Sequence, residues 1–235
     1  MITPDDGSHA VHKRSAAERA VELVASGMIV GLGTGSTARF AIQRIGTLLR
    51  ERVIGDLVGV PTSVASELEA RRQGIPLAAP DWAGPIDLTI DGADEVSPAL
   101  DLIKGAGGAL LREKIVAEAS DRLVIVVDQS KQSVVLGTLG PVPVEVLPFG
   151  WRSHVGYLES LGAAVRLRTG EDHAPFRTDQ GNMILDCTFG PIHDPGTLAM
   201  ALASRAGILG HGLFLGLATD VVMAGDAGVS HTTRE

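Results

Sequence analysis

Apolar and polar positions follow two periods along the first half of the chain. Ala17, Ala20, Val21 and Val24 recur at helical spacing, and Gly27 follows as a stop. Residues 28–32 form a short apolar run that predicts a buried strand. Ser36 opens a second helical stretch, with Ala41, Ile45, Leu48 and Leu49 on one face. The next strand is predicted at 57–60 and the next helix at 64–73, closed by Gly74. Two further strands are predicted at 86–90 and 123–127, with a helix at 109–119 between them. Short apolar strands alternating with helices of this length imply a parallel sheet covered on both faces, so the fold class is α/β.

After about residue 131 the pattern changes. The run 142–146, with Pro141, Pro143 and Pro148 around it, predicts an edge strand or a boundary. A helix at 154–161, strands at 164–167 and 183–187, a helix near 197–206 and a strand at 213–217 follow. Strand–helix–strand twice over is the order of a small split-βαβ, ferredoxin-like α+β module. Residues 219–223 are expected to rejoin the first sheet. The expected domains are therefore 1–132 with 219–235, and 133–218.

Composition narrows the function. The chain has 235 residues, 45% of them apolar, and 29 glycines that point to tight turns and close backbone approaches. Twenty basic against 28 acidic side chains give a net charge of −8, which disfavours nucleic acid as a partner. An anionic substrate would need locally placed cations. One cysteine, Cys187, permits no internal disulfide and fits a reducing compartment. Residues 1–9 show no secretory pattern and no apolar run is long enough for a membrane, so a cytoplasmic location is expected.

Four segments carry candidate chemistry. GLGTGST at 31–37 joins a strand to a helix, where glycines admit a ligand and free amides attract an anion; Thr34, Gly35, Ser36 and Thr37 would cradle a phosphate. A tight turn with Ser36 as helix cap is the competing account. The third glycine of a dinucleotide fingerprint is missing, no acid ends the next strand, and no P-loop lysine follows, so a monophosphate fits best. DGADE at 91–95 places Asp91 and Asp94 after a strand, where carboxylates can handle sugar hydroxyls. A plain Asp-Gly turn competes there, and a metal is disfavoured for want of paired histidines.

KGAGGALLREK at 104–114 puts a lysine before a glycine loop whose amides open onto a helix, an arrangement suited to an oxyanion. Glu113 lies off the apolar stripe of Leu111, Ile115 and Ala119 and is a candidate base; a solvated helix start is the alternative. Lys131, in DQSKQ at 128–132, offers a second cation. The pattern predicts that all four segments follow strands of one parallel sheet and meet at its carboxyl edge.

Together with PTS at 61–63, PVPVEVLP at 141–148 and TDQGNMILD at 178–186, these motifs resemble the A-type ribose-5-phosphate isomerases, collinearly from about residue 15 onward. The resemblance implies a Rossmann-like catalytic domain, a smaller α+β domain used in oligomer contacts, homodimers or homotetramers, and neither cofactor nor metal. It implies that Thr34, Gly35, Ser36 and Thr37 hold the phosphate with Lys131. Asp91, Gly92, Ala93, Asp94, Lys104, Gly105, Ala106 and Gly107 would contact the sugar. Glu113 would move the proton between C2 and C1 through a cis-enediolate, with Asp91 assisting ring opening and Lys104 stabilising charge.

The family loop usually reads Lys-Gly-Gly-Gly-Ala-Ala. Ala106 departs from it and is tolerated only if its position needs no positive φ. Two rivals remain in view: a sugar-phosphate sensor without catalysis, and a coenzyme-A transferase-like enzyme with a glutamate nucleophile. Cys187 is expected to be packed rather than reactive.

Overall fold

The computed structural model describes residues 8–79, 81–82 and 84–234, so the reading of residues 1–9 falls mostly outside it. In chain order the elements begin with α1 (Ser8–Val21), β1 (Ile29–Leu32), α2 (Ser36–Arg50), β2 (Val58–Pro61), α3 (Val64–Gln73) and β3 (Leu88–Asp91). There follow β4 (Glu95–Val96), β5 (Leu102–Ile103), α4 (Leu110–Glu118), β6 (Leu123–Asp128), β7 (Val142–Val146), α5 (Ser153–Ser160) and β8 (Ala164–Leu167). The last are β9 (Met183–Thr188), α6 (Pro195–Ala203), β10 (Ile208–His211), β11 (Leu213–Phe214), β12 (Asp220–Gly225) and β13 (Gly228–Thr233). Two compact units result. The first runs to Gly92 and includes Ile115–Lys131 and the chain from Leu217; the second comprises Ala93–Lys114 and Gln132–Gly216.

The first unit is built on a six-stranded sheet in the order β13-β12-β6-β3-β1-β2. It is parallel except for the β12–β13 hairpin. Every residue of β3 and β6 is buried, which explains why both read as unbroken apolar runs rather than alternations. Ala16, Ala17, Ala20 and Val21 of α1 and Ala41, Ile42 and Ile45 of α2 pack into one core with Val30, Leu88, Ile90, Val124 and Val126. The α/β class expected from the sequence is the class observed. The chain leaves β1 for β2 on one side and returns to β3 on the other. That reversal is a topological switch point, and in open α/β sheets ligands bind beyond the carboxyl ends of the strands there.

The second unit holds a four-stranded antiparallel sheet in the order β10-β7-β9-β8. With α5 between β7 and β8 and α6 between β9 and β10, this is the expected split-βαβ arrangement. Val142, Val144 and Val146 pack with Leu158, Leu185, Cys187 and Leu202. A separate three-stranded sheet has the order β11-β5-β4.

Three expectations need correction. The β7 strand is interior, not an edge. Its Pro143 is tolerated because its carbonyl accepts from Gly212 N–H at 2.8 Å, on the side where pairing with β10 stops at Val144. The missing N–H therefore faces past the end of that ladder. The strand expected at 213–217 is only the two-residue β11, and β10 before it was not foreseen. Residues 93–114, continuous with the first domain in the sequence pattern, group with the second unit, since β4 and β5 are too short to show a period and pair with β11.

Candidate active site

In the first unit, the turn after β1 is locked to the end of β3. Gly33 N–H donates to Ile90 O at 3.0 Å and Thr34 N–H to Asp91 Oδ1 at 2.9 Å. Asp91 is 1% exposed, and its Oδ1 also accepts from Gly92 N–H at 2.7 Å. Thr34 Oγ1 lies 2.7 Å from both Thr62 Oγ1 and Ser63 Oγ. Thr62 is in turn anchored to Leu32 O, and Ser63 caps α3 in a reciprocal box with Ser66. Thus the PTS motif supports the glycine turn from beside it. The cap of α2 is Gly35, without a side-chain bond, so Ser36 is not the cap that the competing account required. Gly33, Thr34, Gly35 and Ser36 line a cavity of about 390 Å³ with Arg39 and Arg72.

In the second unit, Lys104 and Glu113 are 3% and 5% exposed, and Lys104 Nζ lies 3.3 Å from Glu113 Oε1. A buried ion pair of this kind is not a solvated helix start. Glu113 sits in the first turn of α4, and Gly105 and Gly108 take φ of +107° and +82° to bring the chain from β5 into that helix. Ala106 is not among the described residues with positive φ, so the alanine imposes no strain. Asp94 Oδ2 accepts from Ala106 N–H at 2.8 Å. The glycine loop follows β5, a strand of the three-stranded sheet. The expectation that all four segments follow strands of the parallel sheet is therefore corrected for this one. Glu95 is structural: its carboxylate accepts from the amides of Gly137, Thr138 and Leu139.

Cations gather at the end of β6. Lys131 ends a single 3-10 turn after that strand. Burial alone would raise the carboxyl of Asp128. Hydrogen bonds from Ser130, with Lys13 and His9 nearby, outweigh it and hold the group below its ordinary range. Lys13, on α1, is a cation that sequence reasoning missed at this edge. Cys187 is fully buried, and burial pushes its thiol up to about 12, as expected for a packed rather than reactive cysteine. Among the described residues, no group of three or more His, Cys, Asp or Glu is placed to hold a metal ion. Among the described residues, no helix is long and apolar enough to cross a membrane.

The family model for ribose 5-phosphate isomerase A (phosphoriboisomerase A) matches residues 58–228. The chain belongs to this family. It is 54% identical to the ribose-5-phosphate isomerase A of Chloroflexus aurantiacus, covering 94% of this chain and 92% of that one. The corresponding protein of Desulfatibacillum aliphaticivorans is 52% identical over 92% and 94%. Among solved structures, ribose 5-phosphate isomerase from Plasmodium falciparum superposes with a TM-score of 0.93 at 37% identity, covering 96% of this chain and 99% of that chain. A D-ribose-5-phosphate isomerase in complex with phospho-erythronic acid gives 0.93 at 38% identity, covering 95% and 98%.

For an isomerase A chain, the residue that motif reading overlooked most is Arg168. Its Nη1 donates to the carbonyls of Gly105 and Ala106 at 2.9 and 3.0 Å. A lone arginine at a strand end carries no sequence signal for such a task.

Proposed function

We propose that this chain interconverts D-ribose 5-phosphate and D-ribulose 5-phosphate, an aldose–ketose isomerisation through a cis-enediolate with no cofactor. The observation that carries the reading is the buried Lys104–Glu113 pair beside a glycine loop, in a chain of this family. Thr34, Gly35, Ser36 and Thr37, with Lys131, would hold the phosphate. Asp91, Gly92, Ala93 and Asp94 would meet the sugar along with Lys104, Gly105, Ala106 and Gly107. Asp91 would assist ring opening.

In the open aldehyde, Glu113 takes the proton from C2, the electron pair forms the C1–C2 double bond, and negative charge grows on O1. Lys104, paired with Glu113, would offset that charge. Return of the proton from Glu113 to C1, with transfer of the hydroxyl proton from O2 to O1, leaves the ketone at C2. A positioned base contributes about 10²–10⁴ in rate. Neither a sensor nor an acyl transferase accounts as well for a base paired to an ammonium in a chain of this family.

The test is ribulose 5-phosphate formation by purified protein in the presence of EDTA, beside Glu113→Gln. The expected result is turnover that survives the chelator and falls by about 10²–10⁴ in the variant, with KM little changed. Full turnover in Glu113→Gln would remove it as the base. A cytoplasmic homodimer or homotetramer is part of the same reading. Light scattering on the eluted protein gives the copy number.

A further inference from the structure

The loop that follows Lys104 closes its own turn, Gly108 N–H donating to Gly105 O at 3.0 Å, and is gripped from outside by one remote side chain. Arg168, directly after β8, is pinned by its own backbone: its N–H donates to Ile184 O and its carbonyl accepts from Phe176 N–H, both at 2.9 Å. Its guanidinium pairs through Nε and Nη2 with both carboxylate oxygens of Asp186 on β9, an acid only 5% exposed. That fork fixes the guanidinium plane. The remaining nitrogen, Nη1, reaches the carbonyls of Gly105 and Ala106 together. Phe176 lies against the guanidinium, and its ring would be 2.5 Å from a Cβ on Gly108, so the loop is also closed from that side.

Peptide planarity gives this grip a consequence. In a trans peptide the N–H points opposite to the C=O of the same unit. Two carbonyls drawn to one nitrogen therefore turn the amides of Ala106 and Gly107 away from Arg168. The amide of Ala106 shows this, since it donates to Asp94 Oδ2 at 2.8 Å on the far side. From the catalytic reading above, on which this step rests, that is the side where enediolate charge develops. We propose that Arg168, held by Asp186, is a positioning residue for the reaction: it turns the Ala106 amide onto Asp94 and the next amide, that of Gly107, toward the reacting oxygens, without touching substrate. A lysine cannot replace it, because one ammonium cannot fork onto Asp186 and also bridge two carbonyls.

The test compares wild type, Arg168→Met, Arg168→Lys and Asp186→Asn. Turnover and KM on ribose 5-phosphate are measured with the thermal midpoint and the affinity for phospho-erythronic acid, whose carboxylate places negative charge near the reacting carbons. Removing an oxyanion donor outright costs about 10²–10³ in turnover, and a loosened one less. The expected result for Arg168→Met is a fall in kcat of about tenfold or more with KM within about threefold, and analogue affinity falling in step with kcat/KM. Arg168→Lys is expected to remain low. Asp186→Asn, which keeps the arginine, is expected to show a smaller loss of the same kind and decides the matter if the Arg168 variants do not fold. Turnover retained in a folded Arg168→Met, or restored by Arg168→Lys, overturns the proposal. So does a loss in KM alone, or unchanged kinetics in Asp186→Asn when neither Arg168 variant folds. A wild type without turnover would instead overturn the isomerase reading.

Discussion

The molecule contains two glycine-rich turns that look alike in sequence and are held in different ways. GLGTGST at 31–37 takes its support from neighbouring parallel strands: Asp91 from the end of β3, and Thr62 and Ser63 from the end of β2. KGAGG at 104–108 takes its support from Asp94, between β3 and β4, and from an antiparallel sheet in its own unit, through an arginine 63 residues further on. The first turn inherits its supports from topology, because strands on either side of a switch point end at the same level. The second has one such support, Asp94 just after β3, and depends otherwise on a long-range ion pair. The chemistry assigned to each fits the difference. A phosphate carries its charge through the whole reaction and tolerates a general cradle. Enediolate charge is transient, and its stabilisation depends on donors already aimed.

The largest effect in this comparison is expected at the second loop. Lys104→Met removes the ammonium 3.3 Å from Glu113 and leaves that carboxylate buried without it. Turnover is expected to fall by about 10²–10³. Stability is expected to fall as well, by on the order of 3 kcal/mol, because one partner of a buried pair has gone. Steady-state kinetics and urea unfolding of the same preparation measure both. Turnover within tenfold of wild type would mean that Lys104 is only a structural partner of the glutamate.

At the first loop the corresponding break is steric. A Cβ on Gly33 would lie 2.3 Å from Asp91 Oδ1 and 2.5 Å from both Asp91 Cα and Ile90 O. Two of these three atoms are backbone, so Gly33→Ala forces the ends of β1 and β3 apart. The expected cost is about 1–3 kcal/mol by urea unfolding, with a raised KM because the phosphate turn moves with β1. Unchanged stability would show that the strand ends yield more easily than their hydrogen bonds imply.

The same contrast sets what could be read from the sequence. The parallel sheet was legible because β1, β3 and β6 are short runs, largely apolar, that alternate with helices, and Gly33 to Thr37 follow β1 directly while Asp91 ends β3. Lys104 and Glu113 were legible as residue types within one motif, although their burial was not: Arg112, Glu113 and Lys114 together look like a solvated surface. Residues 93–114 were misplaced because β4 and β5 have two residues each, too few for any period. The interior position of β7 was hidden by Pro143, whose missing donor faces past the end of a ladder that only the fold reveals. Arg168 was invisible for a different reason. Its importance lies in two carbonyl oxygens, and backbone acceptors leave no trace in residue identity.

A smaller effect is expected from the cation at the end of β6. Lys131→Ala removes charge that phosphate would meet equally in the ground and transition states, so the loss belongs in KM. A hydrogen bond to a charged group is worth about 1.5–3 kcal/mol, which predicts a rise in KM of about tenfold or more with kcat within about twofold. Salt should weaken wild-type binding more than that of the variant. A fall in kcat at unchanged KM would move Lys131 from phosphate binding to the chemical step.

The smallest effect sharpens the comparison most, because it asks whether the second loop is strained at Ala106, one of its two departures, with Gly108, from the usual family loop. The positive dihedrals fall on Gly105 and Gly108, and Ala106 stands between them in a conformation open to any residue. Its amide and carbonyl are both engaged, by Asp94 and Arg168. Ala106→Gly therefore relieves nothing and adds freedom to the unfolded chain, at a cost of about 0.4–1 kcal/mol. Turnover should stay within about twofold of wild type, since the carbonyl grip that aims the amides is unchanged. A clear gain in kcat on restoring glycine would show that the methyl group, rather than the backbone, limits the loop. The fit between Ala106 and its two partners would then be a compromise rather than an ordinary allowed conformation.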